Sequence, residues 1–146
     1  MFYEHRSDGS DSSPDEFRVE YLADLRSAIE GVGIDRAVER TGIDRETLAR
    51  FLEASDEHRL SDLTLTDAAA IQSLAPDTPD RDDIVLLARD HLLLGMSNAI
   101  VDVDALDREL DHDFGAGTIQ RKLEGDEPMT FEEFVRFQHA IARKES

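Results

Sequence analysis

The stretch from Gly33 to Gln72, GIDRAVERTGIDRETLARFLEASDEHRLSDLTLTDAAAIQ, most constrains what this chain can fold into. Its apolar residues recur at helical spacing and change face only where a glycine or a polar loop intervenes. Ile34, Ala37 and Val38 make the inner side of a short helix that ends at Thr41-Gly42. Gly42 supplies the left-handed conformation that a tight turn between helices requires. Asp44 caps the next helix, in which Leu48, Phe51 and Leu52 face inward. Arg45, Glu46, Ala49, Arg50 and Glu53 are left on its outer side. Ala54 to Asp62 reads as a polar loop, after which Thr64 and Asp67 open a helix through Ala68, Ile71 and Leu74. Two short helices across a tight turn, followed by a supporting helix, make one helix-turn-helix unit.

An altered copy of the unit returns towards the C-terminus. Thr47-Leu-Ala-Arg-Phe-Leu-Glu matches Thr118-Ile-Gln-Arg-Lys-Leu-Glu, and Leu63-Thr-Leu-Thr-Asp matches Met129-Thr-Phe-Glu-Glu. Gln72 falls opposite Gln138, and Ile34-Asp35 opposite Val103-Asp104. This is repetition of one supersecondary unit, with turns of different length.

The remaining segments are helical as well. Ser13, Pro14 and Glu16 form a start signal for a helix with Phe17, Tyr21, Leu25 and Ile29 on one stripe and Leu22 beside them. Ala75 to Pro79, with two prolines, breaks the chain between its halves. Thr78-Pro79 opens a long helix with Ile84, Leu87, Ala88, His91 and Leu92 inside, continuing past Gly95 to Ile100. Its broad apolar side suits a helix packed between two sub-units. Val103, Leu106 and Leu110 define a short helix, Asp111 to Gly117 a turn, and Thr118 to Glu124 a helix ended by Gly125. Thr130 and Glu133 repeat the capping box before Phe131, Phe134, Val135, Gln138 and Ile141. No segment sustains the alternation of a strand. The expected fold is all-α: a flexible segment over 1–12, a first helix-turn-helix sub-unit over 13–75, and a second, degenerate one over 76–146. The long central helix, 80–100, joins the two.

The unit resembles the helix-turn-helix of the phage-repressor (Cro/C1-like) family. Ala37 stands at the small inward position of the first helix, Gly42 and Ile43 at the turn, and Leu48 at the inward aliphatic of the recognition helix. Thr118-Ile-Gln-Arg-Lys-Leu-Glu-Gly125 and Pro128-Met-Thr-Phe-Glu-Glu are similar to the same family's recognition helix, turn and fourth helix. The second copy departs at its turn, where Asp-His-Asp-Phe-Gly replaces Gly-Ile-Asp. The resemblance implies that the outer faces of the third helices enter the DNA major groove. Arg45, Glu46, Ala49 and Arg50 would then read bases from the first copy, and Gln120, Arg121 and Lys122 from the second. Arg can pair bidentately with guanine, Gln with adenine, and Glu can accept from cytosine. From MFYEHRSD to ARDHLLLGMSNAIVDVDA the chain also resembles an uncharacterised family of acidic proteins from halophilic archaea, which carries no assigned activity.

Charge opposes the DNA reading. With 34 Asp and Glu against 16 Lys and Arg, the net charge is -18, and Lys122 and Lys144 are the only lysines. Affinity for DNA comes largely from Lys and Arg displacing counterions from phosphate, so an acidic molecule must lean on base contacts. An acid-rich, lysine-poor, cysteine-free chain suits a cytoplasm of concentrated salt, where the Debye length falls to roughly 3 Å at 1 M. The same scaffold could instead present a helix face to a protein partner or to a second copy. Positive or neutral potential around Arg50 and Arg121 would favour DNA, and a contiguous exposed apolar patch would favour a protein.

An enzyme is the least supported class. His112 lies between Asp111 and Asp113 without a second ligand set, and Asp56, Glu57 and His58 read as surface loop. Gly115-Ala-Gly117 is too short for a phosphate loop, and Asp102-Val-Asp104 lacks the other positions of an EF-hand. His91 falls on the inner stripe of its helix. No metal, cofactor, small-molecule substrate or membrane association is indicated, and the N-terminus is not a signal peptide. The expected partners are DNA, a protein or a second copy, in the cytoplasm.

Overall fold

The helical spacing becomes eight helices in a computed structural model that describes Phe2, Tyr3 and residues 14–53 and 63–145. They are α1 (Pro14–Val32), α2 (Ile34–Thr41), α3 (Arg45–Glu53), α4 (Leu65–Gln72), α5 (Arg81–Ala99), α6 (Val103–Glu109), α7 (Ala116–Glu124) and α8 (Phe131–Glu145). Among the described residues there is no strand, and the architecture is all-α. The polar loop 54–62, with Asp56, Glu57 and His58, and the cap Ser13 lie outside the described residues.

Local chemistry explains where the helices begin and end. Gly42 closes α2 at φ 74°, a left-handed conformation that a side chain would strain. The Thr64 hydroxyl accepts from Asp67 N–H at 3.0 Å to start α4. Thr130 and Glu133 satisfy each other reciprocally at the start of α8, at 3.1 and 2.9 Å. Two starts differ from expectation. α5 is capped by Asp80, whose carboxylate accepts from Asp83 N–H, while the Thr78 hydroxyl turns back to Ala75 O. α7 begins at Ala116 rather than Thr118, because the turn before it is fastened at Gly115 by a carboxylate of α6.

Four helices surround the core. α1 packs on α4 and α8, and α5 packs on α8 and α4. Phe17, Tyr21, Leu25 and Ile29 come from α1; Ile84, Ala88, Leu92 and Met96 come from α5. Phe131, Phe134 and Phe137 of α8 fill the space between them. The pairs α2–α3 and α6–α7 sit outside this group. At the N-terminal ends of α4 and α8 the chain pairs with itself. Leu65 N–H donates to Met129 O, and Phe131 N–H to Leu63 O, both at 2.8 Å, as an antiparallel bridge between Thr64 and Thr130.

Ionic and aromatic contacts tie distant segments. Arg18 of α1 makes a two-pronged ion pair with Glu132 of α8, Nε donating to Oε2 at 2.7 Å. Phe2 is fully buried, its ring set edge-on to those of Tyr21, Phe131 and Phe134. Its carbonyl accepts from Gln138 Nε2 at 3.1 Å, and the Tyr3 carbonyl bonds His91 Nδ1.

Candidate functional site

The residues that the resemblance singled out lie on α3 and α7, all but Lys122 towards their outer faces. Arg45 is exposed and ion-paired with Asp35 of α2. Glu46 and Arg50 are exposed and Ala49 is half-buried. Among the described residues, Arg50 has no carboxylate partner. On α7, Gln120 donates to Glu124 at 2.8 Å, and Arg121 donates to the Thr118 hydroxyl at 3.1 Å with Glu127 3.5 Å from its Nε. Both side chains remain exposed.

Lys122 departs from the outer face. It is 8% exposed, and its ammonium donates to Pro128 O at 2.7 Å and to Glu133 Oε1 at 2.9 Å. Glu133 also closes the capping box of α8, so Lys122 joins α7 to the start of that helix. The sequence contained the signal. When the sequences of 47–53 and 118–124 are aligned, Lys122 stands opposite Phe51, an inward residue of α3 that is 2% exposed.

The turn between α6 and α7 is built around Asp107. Its carboxylate bonds His112 Nδ1 at 2.8 Å and accepts from Gly115 N–H at 2.9 Å. Asp111 and His112 both adopt positive φ, which lets the longer turn close. The hydrogen bond from His112, aided by that of Gly115, holds the Asp107 carboxyl below its ordinary value of 3.8. Arg136 of α8 fastens the same turn, bonding Asp113 at 2.7 Å and lying over the Phe114 ring. His112 therefore serves the turn. Among the described residues no three His, Asp or Glu side chains come together to hold a metal ion.

A second surface was not anticipated. The breadth of the apolar side of α5 reads as burial, yet part of it faces outward. Leu86, Leu93, Leu94 and Ile100 are 57%, 45%, 47% and 93% exposed. Leu86, Leu93 and Ile100 recur every seventh residue, which brings them to one side of a helix turning 3.6 residues at a time. Leu93, Met96, Ile100 and Val101 line an open groove at the C-terminal end of α5. Exposed carboxylates of Asp82, Asp83, Asp90, Asp102 and Asp104 stand on the same helix and at the start of α6. Ile100, the C-cap, holds φ 55° and ψ 52°, a conformation costly for a β-branched residue. Among the described residues no single helix is long and apolar enough to cross a membrane.

These features define an all-helical chain with two candidate contact surfaces among its described residues. The chain belongs to DUF5791, a family of unknown function whose model matches residues 17–144. No curated protein and no solved structure matches it.

Proposed function

We propose that this protein is a non-enzymatic interaction module built from two pseudo-repeated helix-turn-helix units, and that it binds a protein partner through the exposed face of α5. The observation that carries the reading is the stripe Leu86–Leu93–Ile100, unpaired apolar surface on a molecule of net charge -18. The carboxylates beside the stripe select a partner segment of complementary chemistry: an amphipathic helix with an apolar face and basic flanks. The acid-rich, lysine-poor composition supports a cytoplasm of concentrated salt as the working medium, where apolar contact keeps its strength while long-range charge is screened.

Several observations support the repeat. α1 and α5 are each 19 residues long, and counted from their first residues Phe17, Tyr21, Leu25 and Ile29 coincide with Ile84, Ala88, Leu92 and Met96, all buried. In α4 and α8 the same count pairs Leu65, Ala68, Ile71 and Gln72 with Phe131, Phe134, Phe137 and Gln138. Exchanging the halves turns the bond Leu65 N–H to Met129 O into the bond Phe131 N–H to Leu63 O, as a two-fold relation requires. On this reading α5 is the counterpart of α1 rather than a connecting rod.

The test is binding of a fluorescent basic amphipathic helix in multimolar KCl to the wild type and to Leu86→Asp/Leu93→Asp. Loss of affinity by about tenfold or more, with helical content unchanged, is expected. Equal binding by the two proteins would overturn the docking face.

Sequence-specific DNA binding is the second reading, favoured by Arg50 and Arg121, which point outward at matching positions. Its weakness is numerical. A DNA-binding protein that makes 6–10 phosphate contacts draws much of its affinity from them. Here Lys122 is turned inward, and Arg45 and Arg121 already face carboxylates. Selection from a random DNA pool in multimolar KCl separates the readings. A motif enriched by the wild type and lost in Arg50→Glu/Arg121→Glu would restore DNA to first place.

A further inference from the structure

Between α1 and the C-terminal end of α4 lies a cavity of about 340 Å³, lined by Asp24, Ala28, Val32, Gln72, Leu74 and Pro76. Gln72 is 1% exposed, and its Oε1 has no hydrogen-bond partner among the described residues. A leucine would fill the position without leaving a buried carbonyl oxygen unpaired, so the carboxamide is a burden to the fold alone.

The other half of the molecule uses the matching glutamine fully. Gln138 accepts from the Tyr21 hydroxyl on Oε1 and donates from Nε2 to the Phe2 carbonyl. His91 stands opposite Asp24 when α1 and α5 are aligned from their first residues, and it bonds the Tyr3 carbonyl through Nδ1. A carbonyl only accepts, so Nδ1 carries the proton there. Gln138 and His91 thus hold an aromatic dipeptide by its main chain against α5 and α8. Among the described residues no such segment reaches Gln72, and Ala88 stands where Tyr21 would offer a hydroxyl.

We propose that the cavity between α1 and α4 is a binding site for a short extended peptide segment bearing a large apolar side chain. The Gln72 carboxamide pairs with the segment's main chain, as Gln138 does with Phe2, and the side chain enters against Ala28, Val32 and Leu74. The acidic surface, at a net charge of -18, disfavours a carboxylate on the segment and admits a neutral or cationic one. The inference rests on the correspondence of the two halves and is independent of docking on α5.

The test titrates N-acetyl-Phe-Tyr-amide into the isotope-labelled full chain in multimolar KCl and follows the glutamine side-chain amide resonances. Saturable shifts at Gln72, with Ala28 and Val32, are expected, together with about a tenfold loss of affinity in Gln72→Leu. Ala28→Leu, which fills the cavity from its wall and leaves Gln72 in place, should abolish the shifts and guards against a Gln72 variant that does not fold. Shifts confined to Gln138 and His91 would mean that the peptide displaces Phe2 and Tyr3; the site would then be overturned and the correspondence of the halves kept. No shift at either glutamine would overturn the site and withdraw its support from that correspondence.

Discussion

Lys122 and Gln72 show opposite ways for a polar side chain to sit inside. Lys122 has its charge answered by Glu133 and a second donor taken up by Pro128 O, so removing it strands a carboxylate rather than relieving strain. Lys122→Ala is expected to cost about 2 kcal/mol in urea unfolding. Gln72 leaves an acceptor unmet, and Gln72→Leu is expected to raise stability by about 1 kcal/mol in the same measurement. Asp107 adds a dependence on pH. Its carboxyl titrates below 3.8 in the folded chain, so in acid the unfolded chain binds more protons and stability rises with pH. The contribution is complete above the unfolded value and is lost as pH falls through the lower, folded one. Acid unfolding of Asp107→Asn should therefore show a shallower slope than the wild type below about pH 4. The inward turn of Lys122 was legible from its place opposite Phe51; the unmet acceptor of Gln72 was not, because it depends on Ala88, which comes from another helix.

Each helix is set mainly by its own sequence. The stripe Phe17–Tyr21–Leu25–Ile29, the glycine after α2 and the boxes at Thr64 and Thr130 act over a few residues, and the helices start or stop at these places. α5 marks the limit of this reading. Periodicity reveals that a helix has two apolar sides but not how many neighbours come to cover them. α4 and α8 cover Ile84, Ala88 and Leu92, whereas Leu86, Leu93 and Ile100 face outward. For the same reason the candidate site was legible in part: Arg50 and Arg121 were found from helix spacing, while the groove beside Ile100 required the whole assembly. Ile100 gives this element its own test. Glycine accepts the left-handed C-cap freely, so Ile100→Gly should raise stability by about 1 kcal/mol in thermal unfolding. The same substitution should weaken capture of the basic amphipathic helix, a trade between fold and contact surface.

At the scale of the molecule, two electrostatic effects of opposite sign compete as salt rises. Screening weakens exposed ion pairs such as Arg45–Asp35 and Arg81–Asp82, each worth about 0–1 kcal/mol. It also relieves the mutual repulsion behind a net charge of -18, which acts over the whole surface. The second effect is the larger, and the melting temperature should rise by about 5–10 °C between dilute and molar KCl. A fall would show that the ion pairs outweigh the repulsion. The bridge between Thr64 and Thr130 bears on how the chain is joined. α1 covers α8 and α5 covers α4, so each half lends the other a wall of its core, while the covalent link passes through the exposed Pro76-Asp77 corner. That corner works as a tether that fixes local concentration, a role a sufficiently tight encounter can replace. Severed there and produced together, the halves should assemble one-to-one and recover the helical signal of the intact protein, whereas either alone should expose its unpaired core and fail to fold.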